Sequence, residues 1–466
     1  MSDFAGEVRA LRSRGDVFAS DAPIFIARAP GRLDLMGGND DYTGGMVFEA
    51  TIREATWAAA QARHDRTIVL VNPQMQDHGW QARVEISLDE LTDEACVRAI
   101  VNREPSVRWT AYVLGVLFWL KQNAPALVTR GVTILLRSDV PLNKGVSSSA
   151  AVEVATLKAA AKVFGSELAG IELAEACQWA ENVIAESACG IMDQIAVVLG
   201  DEGYVLPLVC QPCLPRPLVR LSAGLICWGI DSGVSHQVSG LEYEAARAAA
   251  FMGYKLICDR EGIEITFDER AKIPRWTDPR FNGYLANLPP SLYRAYEDHL
   301  PDELSGSEYL RICEVHVDPF TQARPAATYR IRACTRYAVE ENHRVQLFGE
   351  LARGMNDGFT IDGATLLGEL MYQSHAAYSE TGLGCDKTDL IVELAREQGP
   401  SRGIFGAKIT GGGGGGTVAV LGASDATDAL TRIVDRYREQ TGIDPYVFRG
   451  SSPGADRFGI VELKPE

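Results

Sequence analysis

After a helical opening, apolar and polar positions alternate over Ile24–Pro30 as they do in a strand, and Pro30-Gly31 reads as the turn that ends it. Thr56–Arg63 and Thr67–Asn72 read as further short strands. Trp109–Leu120, bounded by Arg108 and Lys121, is unbroken apolar sequence and reads as a buried helix. Gly131–Val140 is strand-like and delivers the chain into Pro141–Ala150. Beyond that loop, Ala150, Val154, Leu157 and Ala161 recur at helical spacing, Glu153, Lys158 and Lys162 point elsewhere, and Gly165 stops the helix. A second helix over Ile171–Glu186 carries Leu173, Cys177, Ala180 and Ile184 on one face. Gly224–His236 reads as a buried strand ending in a Gly/Ser turn. Seven of the 21 prolines fall between Pro274 and Pro325, which predicts extended loop and short helices there. Near the C-terminus a strand-like run breaks at Gly411–Gly416 and resumes. An amphipathic helix with Leu430, Ile433, Val434 and Tyr437 follows it.

Length turns this series of elements into two domains, since 466 residues exceed the roughly 250–300 at which a single core stops growing. The change is placed at the start of the Gly224 strand, giving 1–223 and 224–466. With 45 Lys+Arg against 62 Asp+Glu the formal net charge is −17, which repels polyanions and argues against a general nucleic-acid or anionic-membrane role. The apolar run is well short of the roughly 20 residues that span a bilayer, and the N-terminal residues lack the apolar centre of an export signal. Ten scattered cysteines fit a reducing, cytoplasmic compartment. Cys210 and Cys213 form a lone CxxC without a second pair, so packed thiols are expected rather than a metal site.

Three glycine-rich segments carry the candidate chemistry. In Pro141–Ala150, Gly145 and Ser147, Ser148 and Ser149 offer backbone N–H groups and hydroxyls at the start of a helix, where the macrodipole favours an anion; an N-cap accounts for one serine but not three. Gly31–Gly45 combines five glycines with Arg32, Asp34, Asp40 and Asp41, a set suited to hydroxyl groups or a cation, or to an ordinary turn. Six consecutive glycines between β-branched pairs, Gly411–Gly416, predict close packing of backbone against a loop or a ligand. Glu181 and Asp193 fall on or beside apolar faces, and such carboxylates need a partner. Phosphoryl transfer requires a cradle for phosphates, a divalent cation and an acid near the acceptor, and these residues supply that set. No GxxxxGK[ST] and no kinase HRD or DFG set is present.

The segments APGRLDLMGGNDDYTGG, PLNKGVSSSAAVEVA and AKITGGGGGGTV resemble the three ordered motifs of the GHMP kinases. AENVIAESACGIMDQ and DSGVSHQVSGLEY are further similar to galactokinase and its sugar-kinase relatives, and other stretches resemble the kinase region of L-arabinokinase. The resemblance implies an α+β fold of two domains with the active site in the cleft between them. It implies ATP and Mg²⁺, with Gly145, Val146, Ser147, Ser148 and Ser149 around the phosphates, Ser149 and Glu181 on the metal, and Trp109 and Tyr112 flanking adenine. Asp193 would face the anomeric hydroxyl of a sugar with Arg32 beside it, and Asp41, Gly38, Asn39 and Tyr243 would contact the sugar. Galactokinases have Glu-His where this chain has Gly38-Asn39, and that pair contacts the exocyclic hydroxymethyl. Its replacement implies L-arabinose, which lacks that group; the room left by a glycine keeps galactose or a uronic acid as alternatives. A non-catalytic sugar sensor is the other alternative. The partner implied is a small-molecule sugar, and no oligomeric state is implied.

Overall fold

The structure is a computed structural model that describes residues 2–235, 241–268, 273–313, 315–355 and 358–465. Two antiparallel-rich sheets frame it. The first runs in the order Ile460–Leu463, Ile24–Met36, Met46–Ala62, Val132–Ser138, Thr67–Val71, Arg83–Ser87, and Tyr204–Val209 adds to the near half of Met46–Ala62. Helices Thr110–Asn123, Ser148–Val163, Gly170–Val183 and Met192–Leu199 belong to the large core cluster that also holds the buried face of this sheet. The second sheet has four strands, Ile404–Ile409, Thr417–Ala423, Leu225–Asp231 and Val447–Arg449, in that order and all antiparallel. It forms its own core with helices Asp386–Gln398 and Thr427–Thr441. A third cluster surrounds helices Leu241–Arg260 and Ile331–Gly354 together with the proline-rich segment.

The strand that begins at Ile24 does not stop at Pro30-Gly31 but continues to Met36. The register slips between Pro30 and Arg32, and again between Asp34 and Met36. A bulge tolerates a proline inside a sheet, and Gly31 has a second use: a Cβ there would meet the Val146 carbonyl at 2.6 Å. The absence of that atom lets the Arg32 amide donate to Val146 at 3.1 Å. The strand is thereby joined to the loop that precedes helix Ser148–Val163. Thr56–Arg63 likewise belongs to a longer strand, Met46–Ala62.

Glu153 does not point away from the core, as helical spacing predicts; it is fully buried. Helix Ser148–Val163 is rich in alanine and is covered nearly all round, so no polar face exists for Glu153 to occupy. Lys158 is buried as well and donates to Asp456 at 2.5 Å. The proline-rich stretch forms short helices, Pro290–Glu297 and Gly306–Ile312, with two two-stranded antiparallel sheets around them. The end of the Gly224–His236 reading, and residues 236–240 of the Asp231–Tyr243 segment, lie outside the described residues. No helix of the described residues is long and apolar enough to cross a membrane.

Candidate active site

The loop before helix Ser148–Val163 turns through three left-handed residues, Asn143, Gly145 and Ser147, at φ +58°, +69° and +60°. Successive amides in such a path point into one concavity, which suits an anion. Ser147 occupies the N-cap position yet makes no side-chain cap bond, and its Oγ is buried without a partner. An ordinary N-cap would show the opposite. The hairpin tip Gly411–Gly416 closes on this loop: a Cβ on Gly411, at φ +72°, would sit 2.9 Å from the Gly145 carbonyl, and the Thr417 hydroxyl donates to the Lys144 carbonyl at 2.8 Å. Close packing is therefore what the six glycines permit. The Tyr378 hydroxyl donates to the Gly411 carbonyl and pins the tip from behind.

A cavity of about 450 Å³ opens in front of the loop. Arg32 and Asp193 meet at its floor, where Arg32 Nη2 and Nε reach Asp193 Oδ1 at 2.6 and 3.0 Å and Nη1 donates to the Gly145 carbonyl at 2.6 Å. Arg32 is 2 % exposed, whereas the Asp193 side chain keeps 22 % of its surface. One guanidinium thus ties the backbone of the loop before helix Ser148–Val163 to a carboxylate that faces the cavity. Asp193 enters at the first turn of helix Met192–Leu199, where a negative charge is favoured.

Glu181 is buried, and burial followed by the charge of Asp193 pushes its carboxyl up to about 7, against hydrogen bonds from Ser149, Cys189 and Gln194. Gln194 Nε2 donates to Glu181 at 2.7 Å. Among the described residues Glu181 has no ion-pair partner, and no group of three or more His, Cys, Asp and Glu is arranged to hold a metal ion by itself. A serine hydroxyl and one carboxylate form an oxygen-only pair, which fits a hard divalent cation that takes its other ligands from phosphate and water. Asp41 is buried and takes the Tyr42 amide at 2.9 Å. Burial, then Asp193, pushes its carboxyl up to about 6, while Arg247 acts in the other direction. Its carboxylate lies against Gly190, where a Cβ would come within 1.7 Å.

Arg32, Asn39, Asp41, Tyr112, Gly145, Ser147, Ser148, Ser149, Glu181, Asp193 and Tyr243 all line this one cavity. Val146 does not; it is buried, and its carbonyl holds Arg32. Trp109 does not line this cavity; its indole donates to the Gln81 carbonyl at 2.9 Å and packs into the first core. Gly38 brings a correction. The space beside it is not free for a larger substituent, since a Cβ there would fall 2.1 Å from Asp34 Oδ2, which is held by Lys408 at 2.6 Å. Gly38→Ala is accordingly expected to destabilise the protein by about 1–3 kcal/mol through overpacking, read as a lower urea midpoint at unchanged m-value. Sequence reasoning missed Arg108, Asn143 and Gly190 as lining residues. Arg108 stands at the edge of an apolar run and carries no local signal beyond that position.

Three family descriptions match the chain: "GHMP kinases N terminal domain" over residues 111–201, "Galactokinase galactose-binding signature" over 16–62 and "GHMP kinases C terminal" over 361–439. The chain belongs to the GHMP kinase family. Within it, the chain falls in the sugar-kinase branch. It is 33% identical to L-arabinokinase of Arabidopsis thaliana across 98% of this chain and 48% of that one, so it spans about half the length of that relative. It is 30% identical to galactokinase of Chloroflexus aurantiacus across 94% of both. Among solved structures, Lactococcus lactis galactokinase superposes with a TM-score of 0.74 at 22% identity, covering 98% of this chain and all of that one. Mevalonate kinase of Methanococcus jannaschii superposes at 0.56. These likenesses support the two-domain α+β fold expected from the motifs.

Proposed function

We propose that this protein transfers the γ-phosphoryl group of ATP to the anomeric hydroxyl of a monosaccharide, and that the sugar is L-arabinose. The observation that carries the reading is the Arg32–Asp193 pair, which sets a cavity-facing carboxylate beside the phosphate loop. The anomeric hydroxyl donates to Asp193, which orients it or takes its proton as the oxygen attacks the γ-phosphorus and ADP leaves. Arg32 holds the Asp193 carboxylate in place and offsets charge on the transferring group. Gly145 to Ser149 hold the phosphates, Tyr112 borders the nucleotide side, and Ser149 and Glu181 would hold Mg²⁺, which would supply neutralisation of the phosphate charge. Asp41, Asn39 and Tyr243 hold the sugar. Asn39 Oδ1 is buried at the cavity without a partner, a place for a hydroxyl donor. The division into 1–223 and 224–466 is part of this proposal: the second sheet begins at Leu225, while Ile460–Leu463 returns to the first.

The sugar assignment rests on the L-arabinokinase likeness and on the surroundings of Gly38, where Asp34 fills the space of a longer side chain. The galactose-binding signature over residues 16–62 favours galactose as the second reading. A uronic acid is disfavoured, because Asp41 and Asp193 already supply negative charge to the wall and Arg32 is engaged. ADP release measured over L-arabinose, galactose, galacturonate, glucuronate and homoserine separates these readings. L-arabinose is expected to give the highest kcat/KM, and no release with any of the five would favour a sugar sensor.

The raised carboxyl of Asp41 gives this site a pH dependence. Above about 6 it is an anion and accepts a sugar hydroxyl; below that it is neutral. At saturating ATP and Mg²⁺ the KM for sugar should therefore rise on acidification, by about tenfold per pH unit once well below 6. Asp41→Asn should raise KM above about pH 6 and flatten that limb.

A further inference from the structure

Three buried polar side chains meet beneath the wall of the cavity, in a part of the first core that is otherwise apolar. Glu153 and Gln194 are wholly buried, and Glu181 is buried beside them. Gln194 Nε2 donates to Glu181 Oε2 at 2.7 Å and to Glu153 Oε2 at 3.3 Å, so both N–H bonds of one carboxamide go to carboxylates. Each of the three comes from a different helix. Glu153 belongs to Ser148–Val163, Glu181 to Gly170–Val183 and Gln194 to Met192–Leu199, and these helices otherwise meet through apolar side chains.

The junction works against the stability of the fold. Gln194 Oε1 is buried and has no partner. Among the described residues no cation pairs with Glu153, and Lys158 on the same helix is taken by Asp456. A stranded oxygen and an uncompensated carboxylate both destabilise, whereas apolar groups of the same shape are close to neutral or better. Stability therefore gives no reason for this set. The neighbouring residues do: Ser149 stands one helical turn before Glu153, and Asp193 immediately precedes Gln194. Each helix at the junction thus presents one member of the site, Ser149, Glu181 or Asp193, to the cavity. Glu153 and Gln194 themselves do not line it.

We propose that Gln194, anchored by Glu153, is a positioning residue that fixes the Glu181 carboxylate relative to Ser149 and Asp193. The inference rests on the reading of Ser149 and Glu181 as the residues for Mg²⁺. Gln194 holds Glu181 by Oε2 and Glu153 holds the carboxamide in turn, so protein bonds alone orient the carboxylate. Loss of such an outer partner lowers metal affinity by about 10–100-fold.

Calorimetric titration with the imido analogue of ATP, in the presence and absence of Mg²⁺, tests this without turnover. The analogue is expected to bind the wild type more tightly with Mg²⁺ than without. Gln194→Met keeps the length of the side chain and loses both donors. Its gain in affinity from Mg²⁺ should be about tenfold smaller, while the Kd measured without Mg²⁺ stays within twofold. Glu153→Met frees the other end of the carboxamide and should lower the gain by about threefold or more. It serves if Gln194→Met does not fold, because it removes a buried carboxylate instead of stranding two. Glu153→Gln, whose carbonyl still accepts from Gln194, should recover the gain.

A gain within twofold of the wild type in both methionine variants would overturn the inference. So would equal weakening with and without Mg²⁺, which is the result of a merely structural role, or a Glu153→Gln no better than Glu153→Met. These three outcomes leave the sugar-kinase reading in place. A wild type whose affinity for the analogue does not depend on Mg²⁺ would remove the roles of Ser149 and Glu181, and this inference with them.

Discussion

Asp193→Asn is expected to fold, to hold sugar and nucleotide, and to turn them over about 10²–10⁴ times more slowly than the wild type. The amide occupies the volume of the carboxylate, and its oxygen can still accept from Arg32, which makes both of its bonds to Oδ1. Arg32 also keeps its bond to the Gly145 carbonyl and its approach to Glu49 at 3.3 Å, so the floor of the cavity retains its framework. What is lost is the negative charge that orients or deprotonates the acceptor hydroxyl. The effect should thus appear in kcat with little change in either KM. Stopped ADP-release assays give kcat, and calorimetric titration of sugar and nucleotide gives binding. A variant with wild-type turnover would remove Asp193 from the reaction.

Lys408→Met should have the largest effect on stability. Lys408 Nζ lies 2.6 Å from Asp34 Oδ2, and both side chains are wholly buried. Burial pushes the Asp34 carboxyl up and Lys408 is the main influence against it; Asp34 Oδ1 has no hydrogen-bond partner. Loss of the cation leaves an uncompensated buried carboxylate, a change that costs about 3–5 kcal/mol. Asp34→Asn/Lys408→Met should recover most of that, since no charge is then left unpaired. The pH dependence has a definite sign. In Lys408→Met the folded-state pKa of Asp34 rises further above its unfolded value, so the folded protein binds the proton more tightly and the variant gains stability as pH falls. Urea unfolding of both variants at neutral and acid pH measures this, and equal midpoints for the single and double variants would contradict it.

The site was legible in the sequence where its parts are local. The serines before helix Ser148–Val163, Glu181 on its helix and the glycines of the hairpin tip each stand out by composition and spacing over a dozen residues. What joins them was not legible, because it depends on contacts between positions hundreds of residues apart. Asp34 meets Lys408 across 374 positions, and that pairing rather than any neighbour decides why Gly38 is a glycine. The partner of the Trp109 indole is hidden for the same reason, since its acceptor lies on another segment. The strand through Pro30-Gly31 was cut short because a bulge and a turn begin with the same residues. Glu153 and Lys158 show the limit of periodicity on an alanine-rich helix that is buried on nearly every side.

Transfer to the anomeric oxygen fixes where the phosphate is found on the sugar. Phosphorus NMR of the product formed from ATP, Mg²⁺ and L-arabinose should show a sugar phosphate resonance split by the anomeric proton, with ADP formed in equal amount. A phosphate coupled to any other ring proton, or ADP formed without a sugar phosphate, would contradict it.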